Sequence, residues 1–334
     1  MNNRIFGWWL LLLLASMPAM AQRIIELEGK PGISIRGMSV VNDRIAWVSG
    51  SKGTIGRTSN GGKTWTFLTV KGYENRDFRD IEAFDIATAV IMAIDEPALI
   101  LRTHDGGASW QPVYQNPNKG MFLDAMQFRN KKDGIVLGDP INGKFFLAST
   151  HDGGRSWQDL PATVLPQADS GEACFAASGT NIRMLQHDQF QFITGGLKSR
   201  VFLDNRVIDL PLLQGQTTTG ANSIAVRSKN KWIVVGGDFA RDTLQQGNAA
   251  LTRDGGKTWT SPRSGPFGYR SCVIYAGRKK LVACGTSGVD ISLDGGRTWQ
   301  NISKTGYHVV QQAKDGKAIY LAGGNGRLAK LSWK

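Results

Sequence analysis

"THDGGASW", residues 103–110, is written five times in this chain with small changes. The other copies are "TSNGGKTW" from Thr58, "THDGGRSW" from Thr150, "TRDGGKTW" from Thr252 and "SLDGGRTW" from Ser292. Their third positions, Asn60, Asp105, Asp152, Asp254 and Asp294, are separated by 45, 47, 102 and 40 residues, so one step is double length. A period near 45 residues, with several short strand-like runs in each unit and no 3.6-residue periodicity, points to a propeller rather than a helical solenoid.

The strand-like run that precedes each copy, such as "WVSGSKGTIGRT" or "LVACGTSGVDISL", recurs without its turn at 191–205 ("QFITGGLKSRVFLDN") and at the C-terminus ("IYLAGGNGRLAKLSWK"). That makes seven units. An innermost strand should open each one: "IRGMSVV" (35–41), "FRDIEAF" (78–84), "FLDAMQF" (122–128), "ACFAASG" (173–179), "ANSIAVR" (221–227), "YRSCVIY" (269–275) and "YHVVQQA" (307–313). The expected fold is all-β: one seven-bladed propeller over 22–334, with four-stranded antiparallel blades. The seventh unit stops before a fourth strand, whereas "QRIIELEG" (22–29) is left over at the front. That segment is expected to close the ring as the outer strand of the last blade, which removes an open sheet edge.

Within the motif each residue type has a mechanical reason. The Asp or Asn accepts backbone N–H groups of its own turn, and the paired glycines supply positive φ. The hydroxyls satisfy neighbouring backbone groups, and Trp65, Trp110, Trp157, Trp259 and Trp299 re-enter the sheet as apolar anchors. Catalysis by these acids would need them to converge, and turns on separate blades are spread around a rim. They are read as scaffold.

The first 21 residues read as a secretory signal: Arg4, an apolar run from Phe6 to about Met17, then Ala19-Met20-Ala21. The run is shorter than the roughly 20 residues a spanning helix needs, and no later segment competes with it. The expectation is an exported protein, periplasmic or secreted, without a transmembrane segment after cleavage. Removing Arg4 lowers the formal charge from +13 to +12, a surface that attracts anions. An acidic protein segment, an anionic glycan or an anionic membrane face fits that charge. Export and the lack of a nucleic-acid motif argue against nucleic acid. The three cysteines are Cys174, Cys272 and Cys284. The last two flank "VIYAGRKKLVA", a hairpin whose register sets them opposite each other, either as a cross-strand disulfide or as two small core residues. Cys174 reads as an apolar core residue. No metal-ligand or haem-attachment spacing occurs, "GGNGRL" (323–328) lacks the spacing of a dinucleotide site, and no cofactor is expected.

Strands alternate in direction within a blade, so the starts of the innermost strands lie on the face opposite the repeated turns. The central column of that face reads Arg36, Arg79, Leu123, Cys174, Asn222, Arg270 and His308, with Asp80, Asp124, Glu172, Tyr269 and Tyr307 adjacent. Loops above it add Asp95, Glu96, Asp139, Lys198, Arg200, Asp238, Arg241 and Arg327. Arg36, Arg79 and Arg270 make a candidate fork for carboxylate, sulfate or phosphate, with His308, Asn222 and Asp124 beside it. The competing reading pairs these arginines with Asp80, Asp124 and Glu172 to satisfy the end of a channel. His308, Asp139 and Asp238 read more simply as a satisfied polar residue and two turn formers.

The repeats match the Asp-box, or BNR repeat, of sialidases and other secreted propellers. With "GSKGTIGRTSNGGKTW" and "FRDIEAF", the chain resembles the photosystem II stability/assembly factor-like propellers and their relatives in non-photosynthetic bacteria. The resemblance implies a seven-bladed propeller and a non-enzymatic assembly factor that binds a membrane-protein precursor. That family carries an arginine-rich patch, to which no residue here is assigned. The alternative is a sialidase-like glycosidase using Arg36, Arg79, Arg270, Tyr269, Glu172 and Asp80. Against it, "SIRGMSV" stands where Arg-Ile-Pro precedes the first sialidase repeat, and the blades number seven rather than six.

Overall fold

The computed structural model describes residues 22–185, 189–203 and 206–333. The expected signal segment, 1–21, lies outside them, as do Asp204 and Asn205 of the unit that lacks the repeated turn. Seven antiparallel sheets follow one another around a ring. Blade one runs Ile35–Val40, Ala46–Gly50, Thr54–Thr58 and Thr66–Thr69. Blades two, three and six repeat the pattern from Phe78–Ala83, Leu123–Phe128 and Cys272–Tyr275. In blade five the fourth strand is reduced to one bridge, Leu251 to Thr260. The ring closes as expected: Gln22–Leu27 pairs antiparallel with Leu328–Trp333 in blade seven, with Gln22 opposite Trp333 and Leu27 opposite Leu328.

The second and third strands of a blade are buried on both faces, because each blade lies between two others. Hence their near-continuous apolar runs, "AVIMA" at 89–93 with every residue buried. The repeated turns work at these seams. In each, the Thr or Ser hydroxyl accepts the N–H of the second glycine at 2.9–3.0 Å. The Asp or Asn Oδ1 accepts a backbone N–H four residues on, as from Ser109 to Asp105 at 3.0 Å. The second glycine has no room for a side chain: a Cβ on Gly107, at φ +84°, would stand 2.9 Å from Ile55 Cδ1 of blade one. The tryptophans close the same seams. Trp65 of blade one meets Tyr320 of blade seven edge-on at 6.2 Å, and Trp157 packs edge-on against Phe128 of its own blade at 5.7 Å in a cluster with Val90, Met92 and Ile100 of blade two.

Blade four departs from the expectation. The segment 173–179 is not its inner strand; that strand is Ile182–Met184, and the two-residue strands Glu172–Ala173 before it and Gly195–Gly196 after it join blade five's sheet. Residues 174–181 instead cross the central channel. Ser178 Oγ donates to the Ser271 carbonyl at 2.7 Å, Thr180 Oγ1 to Ser223 Oγ at 2.7 Å, and Arg36 Nη1 to the Ala177 carbonyl at 3.5 Å. The small residues of "CFAASGTN" make that crossing possible: a Cβ on Gly179 would fall 2.2 Å from the Asp80 carboxylate.

Cys272 and Cys284 face each other in register, as expected. Both are free thiols, so the disulfide reading is corrected to that of two buried core residues. The Cys272 thiol donates to the Val310 carbonyl at 3.3 Å and lies 3.7 Å from Thr180 Oγ1. Cys174 is buried, as its apolar reading required.

Candidate functional site

On the face opposite the repeated turns, a cavity of about 530 Å³ opens at the ring's centre. Bulges in the inner strands of four blades help to build it. The ladder of blade one steps from Ile35 opposite Gly50 to Gly37 opposite Ser49, leaving Arg36 unpaired. The same step frees Arg79, Asp124 and Asn222 in blades two, three and five. An extra residue at one height of each strand leaves the pleat and turns to the axis. In blade seven the His308 N–H shares the Ala322 carbonyl with the paired Val309, so His308 holds this position.

Three column members are thereby corrected. In blade three Asp124, not Leu123, is the bulged residue, since Leu123 pairs with Gly138 and fills the apolar seam. In blade four the channel-crossing segment replaces the strand, although Cys174 still lines the cavity. In blade six Cys272 pairs with Cys284 and the Ser271 N–H donates to the Cys284 carbonyl, so Ser271 holds the column. Arg270 falls one residue short, where other blades carry Ile35, Phe78 or Leu123. It is 0 % exposed, ion-paired through Nε to Asp290, and donates from Nη1 to the Tyr269 carbonyl at 2.7 Å and to Ser287 at 3.0 Å. It does not line the cavity.

Two of the acids named beside the ring, Glu172 and Asp80, are also occupied. Glu172 accepts Arg200 Nε at 2.9 Å and a second bond from the same guanidinium, with Thr194 Oγ1 at 2.5 Å. Asp80 accepts the backbone N–H groups of Ile81 (2.8 Å) and Met126 (2.7 Å), and burial pushes its carboxyl well up. Asp124 is fully buried; burial, then the neighbouring Asp139, raise its carboxyl, against the pull of Arg79. Asp139 lines the cavity, accepts the Cys174 N–H at 2.8 Å and is raised by burial to about 6. Asp238 accepts Ala240 N and Arg241 Nε, the turn-forming role expected of it. Tyr307 belongs to the apolar core.

The cavity itself has two unlike walls. On one stand Arg36, Arg79 and His308. Burial, and then the nearby Arg79, lower Arg36 from its ordinary value. Arg79 Nε is held by Asp77 at 2.9 Å, while Arg36 has no carboxylate partner among the described residues. Burial, then Arg36, Arg327 and Arg79, hold His308 down to about 3, so its imidazole is neutral and offers one donor and one acceptor nitrogen. The other wall is aromatic. Phe175 meets Phe239 edge-on at 5.7 Å, and Phe239 meets Tyr269 at 6.2 Å. Tyr269 donates its hydroxyl to Asn222 Oδ1 at 2.8 Å, and burial raises its phenol, so it stays protonated. The arrangement suits an anion with an apolar neighbour: carboxylate on the guanidinium side, hydrocarbon on the rings. Sequence reading missed Phe175 and Phe239. The one was assigned to a strand, and the other stands in a loop whose path no periodicity specifies.

Residues 21–120 match the family model described as photosynthesis system II assembly factor YCF48. Over those residues the chain is similar to that family, and its propeller carries BNR-type repeats. Among solved structures it is similar to YCF48 bound to a D1 peptide (16 % identity, TM-score 0.67, covering 94 % of this chain and 97 % of that one). It is also similar to YCF48 from Cyanidioschyzon merolae (16 %, 0.64, 93 % and 98 %). A third likeness is to the GH74 xyloglucanase from Xanthomonas campestris (13 %, 0.57), 92 % of this chain matching 53 % of that enzyme. At such identities the structural likeness carries the fold alone. No curated protein matches the chain.

Proposed function

We propose that this YCF48-like propeller is an exported binding or assembly factor that holds an acidic segment of a membrane-protein client in the central cavity. The observation that carries the reading is the half-buried, carboxylate-free guanidinium of Arg36 beside Arg79, in a cavity that also has an aromatic wall. A segment carboxylate takes the place that no acid of the chain fills, and its apolar side chains rest on Phe175, Phe239 and Tyr269. The YCF48-type match over residues 21–120 and the D1 peptide complex of one structural neighbour support a protein segment over a glycan as the occupant. The glycosidase alternative loses support because Arg270, Glu172 and Asp80 are each engaged in bonds of their own and Tyr269 lacks an activating carboxylate. Export rests on the first 21 residues.

Fluorescence anisotropy with a peptide of alternating Glu and Phe tests the site. Binding should weaken with salt and fall about tenfold or more in Arg36→Ala, from the loss of a charge-assisted contact. Equal binding by Arg36→Ala, or turnover of a sialoside that the variant loses, overturns the reading. Cell fractionation tests export: protein retained in the cytoplasm defeats that part.

A further inference from the structure

The face that carries the repeated turns has charge of a different kind. At the seam of blades five and six, two adjoining hollows of about 300 and 520 Å³ share Leu251, Arg253, Asp294 and Arg297. Their rim is made by Arg227, Lys231, Arg253, Arg278, Lys279 and Arg297, and their floor by Trp232, Leu251 and Tyr275. Among the described residues none of these six cations makes an ion pair. The acid among them, Asp294, is spent on its own turn: it accepts Ser292 Oγ, the N–H groups of Arg297 and Thr298, and Thr298 Oγ1. On the cavity side ion pairs do form, Arg79 with Asp77, Lys198 with Asp169, Arg200 with Glu172 and Arg241 with Asp238. The seam on the opposite face instead gathers six cations, without a carboxylate partner among the described residues, around one pair of hollows.

One further residue distinguishes this seam. Where the other copies of the turn place Ser59, His104, His151 and Arg253, the sixth blade places Leu293, which is 53 % exposed. An apolar tip among unpaired cations on long stems is the pattern of a surface that rests on lipid headgroups. We propose that the blade five–six seam of the Asp-box face docks on an anionic bilayer, with the cations among the phosphates and Leu293 entering the interface. The cavity then points away from the membrane and stays open to a segment in solution. This docking does not depend on what the cavity holds.

The test is co-sedimentation of the full chain with vesicles of phosphatidylcholine alone and of equimolar phosphatidylcholine and phosphatidylglycerol. Binding to the anionic vesicles only, weakening with salt, is expected. The triple variant Arg253→Gln, Arg278→Gln, Arg297→Gln should lower the partition coefficient by roughly a hundredfold, about fivefold for each cation near the surface. Leu293→Asn should lower it further. A control triple on the cavity side, Lys52→Gln, Lys119→Gln, Lys304→Gln, should leave it unchanged, with all variants melting like the parent. The idea is overturned by equal binding of parent and seam variant, by no preference for phosphatidylglycerol, or by seam-dependent capture of polyglutamate without vesicle binding. Arg36→Ala separates the two readings: it should lose the Glu–Phe peptide and keep the vesicles.

Discussion

Arg36 and Arg270 start from similar positions in two repeats and end with opposite duties. Arg36 is bulged out of its ladder toward the axis, and Arg270 is locked within blade six against Asp290. Arg270→Ala leaves Asp290 buried without its cation and should cost about 3–5 kcal/mol of stability. Arg36→Ala should cost far less while removing anion binding. Chemical denaturation of both variants checks this, and a larger loss for Arg36→Ala would reverse the assignment. The turn acids set an acid limit at the same scale. Hydrogen bonds from the Ser or Thr hydroxyl and backbone N–H groups hold Asp105 well below the carboxylate range, and Asp254 at about 2. Burial opposes the same donors at Asp152, which also lies at about 2. A depressed folded value means the stabilisation is complete above the unfolded pKa near 4 and is lost as pH falls toward 2. Asp139 works the other way: its raised value favours the fold below about pH 4, and that contribution disappears as pH rises through about 6. Denaturation midpoints from pH 2 to 7 should fall steeply at the acid end and gain less than the turn acids alone would give between 4 and 6.

At the scale of elements, the repeated turn is legible because its constraints are local. A hydroxyl, a carboxylate and two positive-φ glycines within eight residues satisfy one another whatever surrounds them. The turn also reaches across a seam, and there the glycine has a second reason. Gly107→Ala forces a Cβ toward Ile55 from a left-handed backbone, and should cost about 1–3 kcal/mol. Gly32→Ala, at φ +81° with open space around it, should cost only the backbone part. Equal thermal shifts for the two would show that the seam contact carries no weight. The inner strands were less legible. A bulge moves every later side chain by one position, so "FLDAMQF" and "YRSCVIY" align by letters with "FRDIEAF" yet place Asp124 and Ser271, rather than Leu123 and Arg270, toward the axis. Blade four looked like a strand by composition, but its small residues serve to cross a channel.

For the whole molecule, closure joins the two ends of the chain in one sheet. The pairing of Gln22–Leu27 with Leu328–Trp333 spans the full ring and covers the edge of blade seven. Removing residues 22–29 should lower the melting temperature by several degrees or more and expose an edge prone to self-association. A truncated chain that melts like the parent and stays monomeric would show that closure contributes nothing.

The sequence by itself determined the blade count, the closing strand, the turns and the face on which a site could be built. Each of these follows from periodicity or from contacts within a few residues, and such signals survive in a linear string. Only the tertiary structure decided which side chains reach the cavity. That depends on bulges, which shift register without changing composition, and on a segment of blade four that leaves its own sheet to bond with Arg36, Ser223 and Ser271. The aromatic wall of Phe175, Phe239 and Tyr269 joins residues from three units, and no spacing within one repeat announces it.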